Sequence, residues 1–350
     1  MTLNNYLKAI FFDKPDYIPV TFWINGACWH HYPKEVLWEL IEDHPALFPG
    51  FTRPEKDWEP DISDVQRKDV PYTDPMGCVW ETYDDGITGI VTGHPLADLS
   101  AFETTWHFPD PSKCDGLFPM DFAERKKEWT ECVRNNGEFT GSLRHGHTFL
   151  QLCDLMGYQN FMYAMADEDE RLLKLIDGLT EFNLAIVKHH TDCGCTLFGY
   201  PDDLGCQSGP MISPSLFRKY IKPAYKRLME PARKAGTAIQ MHSDGDIRLL
   251  ADDLIESGVQ CINLQDLVNG IDWIADRYKG KVCVELDIDR QFITPRGTPE
   301  QIDALIKEEI GKLACPDGGL ALIYGLYPGV PVENIRALMD ALEKYMFWYG

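Results

Sequence analysis

His242 and Asp244 set an imidazole and a carboxylate two residues apart, and in an extended backbone side chains at that spacing leave on the same face. With a further carboxylate arriving from another strand, Glu285 being the candidate, they make a mixed nitrogen and oxygen donor set for zinc or another divalent ion. A second reading has Asp244 capping a helix that begins near Ile247 while His242 hydrogen-bonds inside a polar pocket. His145 and His147 repeat the spacing around Gly146, with substrate contact or structural hydrogen bonding expected of them ahead of metal ligation. Asp202 and Asp203 are neighbours, so one can brace its loop while the other faces a pocket. There, burial and a like charge would raise its pKa towards the range useful for proton transfer. The expected catalytic groups are His242, Asp203 and Glu285; the expected substrate contacts are Trp23, His145, His147, Asp202, Gln265, Asp287 and Tyr327.

These residues gain weight from where they fall. Short β-rich runs over 138–143, 196–200, 237–241, 260–264, 281–286 and 319–324 alternate with longer amphipathic stretches, the pattern of repeated βα units around a parallel sheet. Arg144, His145 and His147 follow the first of these runs, Asp202 and Asp203 the second, His242 and Asp244 the third. Gln265 and Asp266 follow the fourth, Asp287, Asp289 and Arg290 the fifth, where Glu285 sits near the end of the run, and Tyr327 the last. Adding 20–24 and one strand within 77–92 gives eight, the number that closes a (β/α)8 TIM barrel, whose active site lies at the carboxyl ends of its strands. Helical patterns are expected over 34–43, 149–166, 168–190, 213–235, 247–257, 271–278, 299–313 and 332–345. Pro214 after Ser213, and Pro299 after Thr298, mark two of the starts. The segment 51–111 is rich in Pro, Asp, Trp and Gly, with a hairpin expected to turn at Asp84, Asp85 and Gly86. It reads as an excursion from one barrel domain spanning 1–350, covering the barrel mouth.

Composition narrows the partners. A formal charge of −22 repels phosphate backbones, so no nucleic acid partner is expected, and small-molecule substrates and a protein partner with a basic patch remain. No apolar run reaches the 18 or so residues that span a bilayer, so no membrane association and a cytoplasmic location are expected. The 11 cysteines fall mostly singly in apolar runs and read as reduced, buried residues, Cys193 and Cys195 included. Glycine-rich dinucleotide, phosphate-loop and nucleophile-elbow motifs do not occur.

Five segments in order carry a family resemblance: Tyr200-Pro-Asp-Asp-Leu-Gly205 with Gln207; Ile212-Ser-Pro214; Phe217-Arg-Lys-Tyr-Ile-Lys-Pro223; His242-Ser-Asp-Gly-Asp-Ile247; and Pro331 with Glu333-Asn-Ile335. Over about 137–346 the chain resembles the uroporphyrinogen decarboxylase superfamily. The resemblance implies a (β/α)8 barrel and one of two activities: decarboxylation without a cofactor, or methyl transfer with a corrinoid protein, commonly assisted by zinc. Where the decarboxylases carry an Arg-Gln-Ala-Gly-Arg-Tyr segment for substrate carboxylates, this chain reads from Trp23 to Tyr32 without an arginine. Where the thiol-methylating branch has two cysteines, it has Asp244 and Leu326. The resemblance thus points to a methyltransferase that moves a methyl group from a small, methoxylated donor to the cobalt of a separate corrinoid protein. A lyase acting on a small carboxylated substrate is the alternative.

Overall fold

The computed structural model describes residues 2–349 apart from Lys56 and Glu103. Its main sheet has seven strands: β1 (Val20–Ile24), β2 (Thr140–Ser142), β3 (Leu197–Gly199), β4 (Ala238–Ser243), β5 (Cys261–Gln265), β6 (Cys283–Asp287) and β7 (Leu320–Leu326). Their order is β1-β7-β6-β5-β4-β3-β2, so the first strand lies beside the last. The pairs β1·β7, β6·β7, β2·β3 and β3·β4 are all parallel. Near-continuous apolar runs such as Leu320–Leu326 suit this arrangement, because a parallel sheet is buried on both faces.

The eighth strand expected within 77–92 belongs elsewhere. Val79–Glu81 and Ile90–Gly93 join Tyr72–Thr73 in a separate three-stranded sheet, with Tyr72 opposite Trp80 in an antiparallel pair. Local contacts hold this small sheet: Asp74 accepts from the Cys78 amide at 2.9 Å and from Trp80 Nε1 at 2.9 Å. A run this short, interrupted by Asp84-Asp85-Gly86, satisfies its hydrogen bonds with its neighbours in sequence instead of with a long barrel strand.

Most helices begin where their caps predict. Ser213 accepts the Leu216 amide ahead of Pro214, and Thr298 forms a capping box with Gln301 at the start of Pro299–Leu313. The helix expected over 149–166 is two, Phe149–Met156 and Tyr158–Ala166, because Gly157 takes φ 78° between them. The one expected from 247 starts only at Ala251. Leu3–Phe11 and Phe122–Asn136 are helices that the pattern reading does not anticipate. All cysteines are free, and all but Cys132, Cys206 and Cys315 are buried. No helix among the described residues is long and apolar enough to cross a membrane.

By contacts the chain divides into two compact units. One comprises 1–70, 81–89 and 263–350, the other 71–80 and 90–262. The excursion at 51–111 is divided between them.

Candidate active site

In the unit built from 71–80 and 90–262, the ends of β2, β3 and β4 bring one cluster together. His145 Nε2 lies 3.3 Å from Asp203 Oδ1, and His242 Nε2 lies 3.5 Å from the same oxygen. The two imidazole centroids are 5.7 Å apart. One potential ligand atom from each of His145, Asp203 and His242 falls within 4.8 Å of the others. Asp244 Oδ1 approaches His242 Nε2 to 3.5 Å.

The backbone that carries this cluster is stitched across two loops. Asp244 donates its amide to Asp203 Oδ1 at 2.9 Å, Gly205 donates to the Asp244 carbonyl, and Asp246 to the Cys206 carbonyl. Leu204 donates to Ser243 Oγ at 2.9 Å. Gly245 adopts φ 81°, and a Cβ there would lie 2.2 Å from the Gly205 carbonyl carbon, so the loops cross at backbone contact and only glycine fits. Asp246 accepts the Arg248 amide, which is the turn-bracing role that one reading gave to Asp244.

The electrostatics reverse one expectation. Burial pulls the Asp203 pKa upward, but the bond to His145, the charges of both histidines and the Asp244 amide outweigh it and hold it at about 2. Asp203 is therefore an ionised acceptor, not the raised acid expected from two adjacent carboxylates. Packing around His145 opposes its charge, yet Asp203 and the further carboxylates of Asp202 and Asp244 lift its pKa above the ordinary value. The protonatable donor of the cluster is His145, whose side chain is 52% exposed.

Two expected substrate contacts are structural. Asp202 is fully buried, and its carboxylate accepts the amides of Thr148, Phe149 and Leu150 and the Tyr225 hydroxyl. It closes the amino terminus of Phe149–Met156, where orphan amides and the helix dipole favour a negative charge. His147 is buried against Tyr200 and Tyr225 with Nδ1 2.6 Å from Thr148 Oγ1. Burial pushes its pKa down to about 3, so it stays neutral in the core. Arg144 is likewise inside, bound to Gln151 and Asp154 with its guanidinium 5.5 Å from the Trp80 ring centre.

The other expected residues belong to the unit of 1–70, 81–89 and 263–350. Phe22 packs on Phe48 and Tyr324, so Trp23, the next residue of β1, points to the opposite face of the sheet. Its ring crosses Gly325, where a Cβ would come within 2.3 Å, and meets Tyr327 edge-on at 5.4 Å. The Arg290 guanidinium lies 5.7 Å from the Tyr327 ring centre, with Nη2 2.8 Å from Asp287 Oδ2. Glu285 is buried, its carbonyl accepting from Asn263 Nδ2. Gln265 stands just ahead of the short helix Asp266–Asn269 and accepts Asn269 Nδ2 at its carbonyl.

Pattern reading missed a cysteine. Cys28 Sγ lies 3.2 Å from the carbonyl oxygen of Leu326, the residue aligned with a missing cysteine, but burial pushes this thiol up to about 12 and keeps it protonated. Only its place just after β1 could have drawn attention to it.

With this geometry in view, the likenesses to known proteins become interpretable. A methyltransferase from Methanosarcina mazei superimposes with a TM-score of 0.66, at 19% identity and covering 99% of this chain and 98% of that one, which shows the TIM-barrel-like α/β fold. A uroporphyrinogen decarboxylase of Thermus thermophilus is 25% identical over 187 residues, 51% of this chain and 50% of its own length. The methylcobamide:CoM methyltransferase MtaA of Methanosarcina barkeri is 22% identical over 199 residues, 55% of this chain and 54% of its own. The chain thus spans about half the length of the curated relatives it matches. The uroporphyrinogen decarboxylase (URO-D) family model matches residues 145–345, from the first histidine of the cluster past the last barrel strand, and with more than half of its length inside that match the chain belongs to the uroporphyrinogen decarboxylase family.

Proposed function

We propose that this protein is an enzyme that transfers a methyl group from an oxygen- or nitrogen-bound small donor to the cobalt of a separate corrinoid protein. The observation that carries the reading is the convergence of His145, Asp203 and His242 within 4.8 Å. A methyl group leaves oxygen or nitrogen poorly unless the leaving atom is protonated or bound to a Lewis acid. His145, protonated and held by ionised Asp203, is an acid presented at the protein surface for that purpose. His242 contacts the same carboxylate, and His145, half exposed, takes back from solvent the proton it gives to the leaving group.

The donor set also fits a divalent ion of borderline hardness: two imidazoles and a carboxylate, with Asp244 beside His242. Zinc held by neutral His145, ionised Asp203 and neutral His242 would supply Lewis-acid polarisation of the leaving atom in place of the His145 proton, since an imidazole that ligates a metal cannot also be the acid. Glu285, expected as a ligand, lies in the other compact unit and is not included in this set. The match to a methylcobamide methyltransferase supports the corrinoid partner. Arg144 is buried against Gln151 and Asp154, so this cation is committed to the core.

The experiment is to incubate the protein with a reduced corrinoid protein and a panel of methoxylated and N-methylated compounds, following the visible spectrum for methylated corrinoid. Spectral conversion that depends on both donor and enzyme is expected. Carbon dioxide release from a carboxylated substrate without corrinoid would replace this reading by the lyase.

A further inference from the structure

Glu309, on the helix Pro299–Leu313, is 1% exposed, and neither carboxyl oxygen has a hydrogen-bond donor among the described residues. The charges that act most strongly on it are those of acids: Asp266, within hydrogen-bonding reach, then Asp289, and Glu308 of its own helix. Lys312, one turn further on, gives its ammonium to Asp272 and Glu308 at 2.7 Å each. Two carboxyls in contact form a hydrogen bond only if one keeps a proton. Asp266 has the donors that favour its ionised form: Oδ1 accepts the Leu267 amide, and Oδ2 accepts the Asp289 amide at 2.8 Å. Glu309 has none, which leaves the proton on Glu309.

The chain of contacts runs on from Asp289. Its carboxylate accepts the amides of Gln291, Phe292, Ile293 and Thr294, and the Thr294 hydroxyl returns to the Asp289 carbonyl at 2.5 Å. This turn follows directly on β6 and contains Arg290, the partner of Asp287.

We propose that Glu309 is a positioning residue: in the folded protein it keeps a proton and donates it to Asp266, and this buried acid pair fixes, through Asp289, the turn that carries Arg290 against Asp287. The inference does not depend on the methyl-transfer reading. Burial pushes both acids up, Asp266 to about 6 and Glu309 well above the ordinary range. Because the unfolded chain ionises Glu309 near its ordinary value, folding takes up a proton at neutral pH, and stability falls as pH rises above the carboxylate range.

Three measurements on wild type, E309Q and E309L test this. In infrared spectra at neutral pH, protein labelled with carbon-13 glutamate should show an isotope-shifted protonated-carboxyl band that E309Q lacks, the label separating Glu309 from Asp266. The Tm of E309Q should exceed that of wild type by a margin that grows as pH rises above about 5, because the amide donates to Asp266 without taking up a proton. Amide exchange at residues 291–294 should quicken in E309L and stay slow in E309Q. Absence of the labelled band in wild type overturns the proposal, and that spectrum decides it even if a variant fails to fold. Parallel Tm curves, or equal exchange in E309L and wild type, would overturn it equally.

Discussion

Replacing Asp203 by asparagine removes the charge that both histidines share while keeping a side chain of the same size. The folded protein holds this carboxyl at about 2 against an ordinary 3.8, and at 1.36 kcal/mol per pKa unit the difference amounts to about 2 kcal/mol. The side chain is 22% exposed, so solvent screening does not remove most of this. The sign follows from the depressed pKa: the contribution is present in full well above pH 4 and fades as pH falls, reaching roughly half near pH 3. D203N should therefore be about 2 kcal/mol less stable than wild type at pH 7, with the gap closing on acidification. Denaturant titrations at the two pH values measure it. In protein freed of metal with a chelator, His145 loses the partner that raises its pKa, so its NMR titration should move to lower pH in the variant. A stability gap independent of pH, or a His145 titration unmoved by the substitution, would refute the electrostatic account of the cluster.

Other substitutions probe neighbouring parts. D202A strips three amides and the Tyr225 hydroxyl of a buried acceptor and should cost about 3 kcal/mol in denaturant unfolding. G325A places a methyl group where the Trp23 ring lies; a loss of about 1–3 kcal/mol and a changed tryptophan emission spectrum are expected, whereas an unaltered spectrum would mean that the ring does not cross this glycine. Protein purified without chelator should contain a divalent metal near one equivalent by elemental analysis, reduced in both H145A and H242A; metal content unaffected by either change would leave the two imidazoles as hydrogen-bonding groups alone.

Much of the scaffold could be read from the chain because periodicity and capping are local signals. The run at 319–324 declares a buried parallel strand by its apolar continuity, and Thr298-Pro299 declares a helix start. The strand expected within 77–92 fails because an apolar stretch does not say which partner it pairs with, and here the nearer one wins. In the cluster, the spacing of His242 and Asp244 correctly signalled two side chains on one face. What it could not convey was charge. Adjacent carboxylates suggest mutual repulsion, but Asp202 turns inward to a helix terminus while Asp203 turns to two imidazoles, so the pair separates into a brace and an ionised acceptor. His147 misleads for a related reason: the left-handed Gly146, with φ 74°, breaks the extended alternation with His145 and sends the two rings to different environments.

The crossing of the loops at Gly205 and Gly245 makes the ends of β3 and β4 a single mechanical piece. Asp203 and His242 sit on either side of that crossing and cannot separate by backbone motion without breaking several short contacts at once. Adaptation to an incoming ligand must therefore come from torsion about side-chain bonds, chiefly at the half-exposed His145, whose glycine-following loop lies outside the crossing. The cluster is thus a rigid jaw with one moving tooth, and the search for an open and a closed form should follow the rotamer of that imidazole.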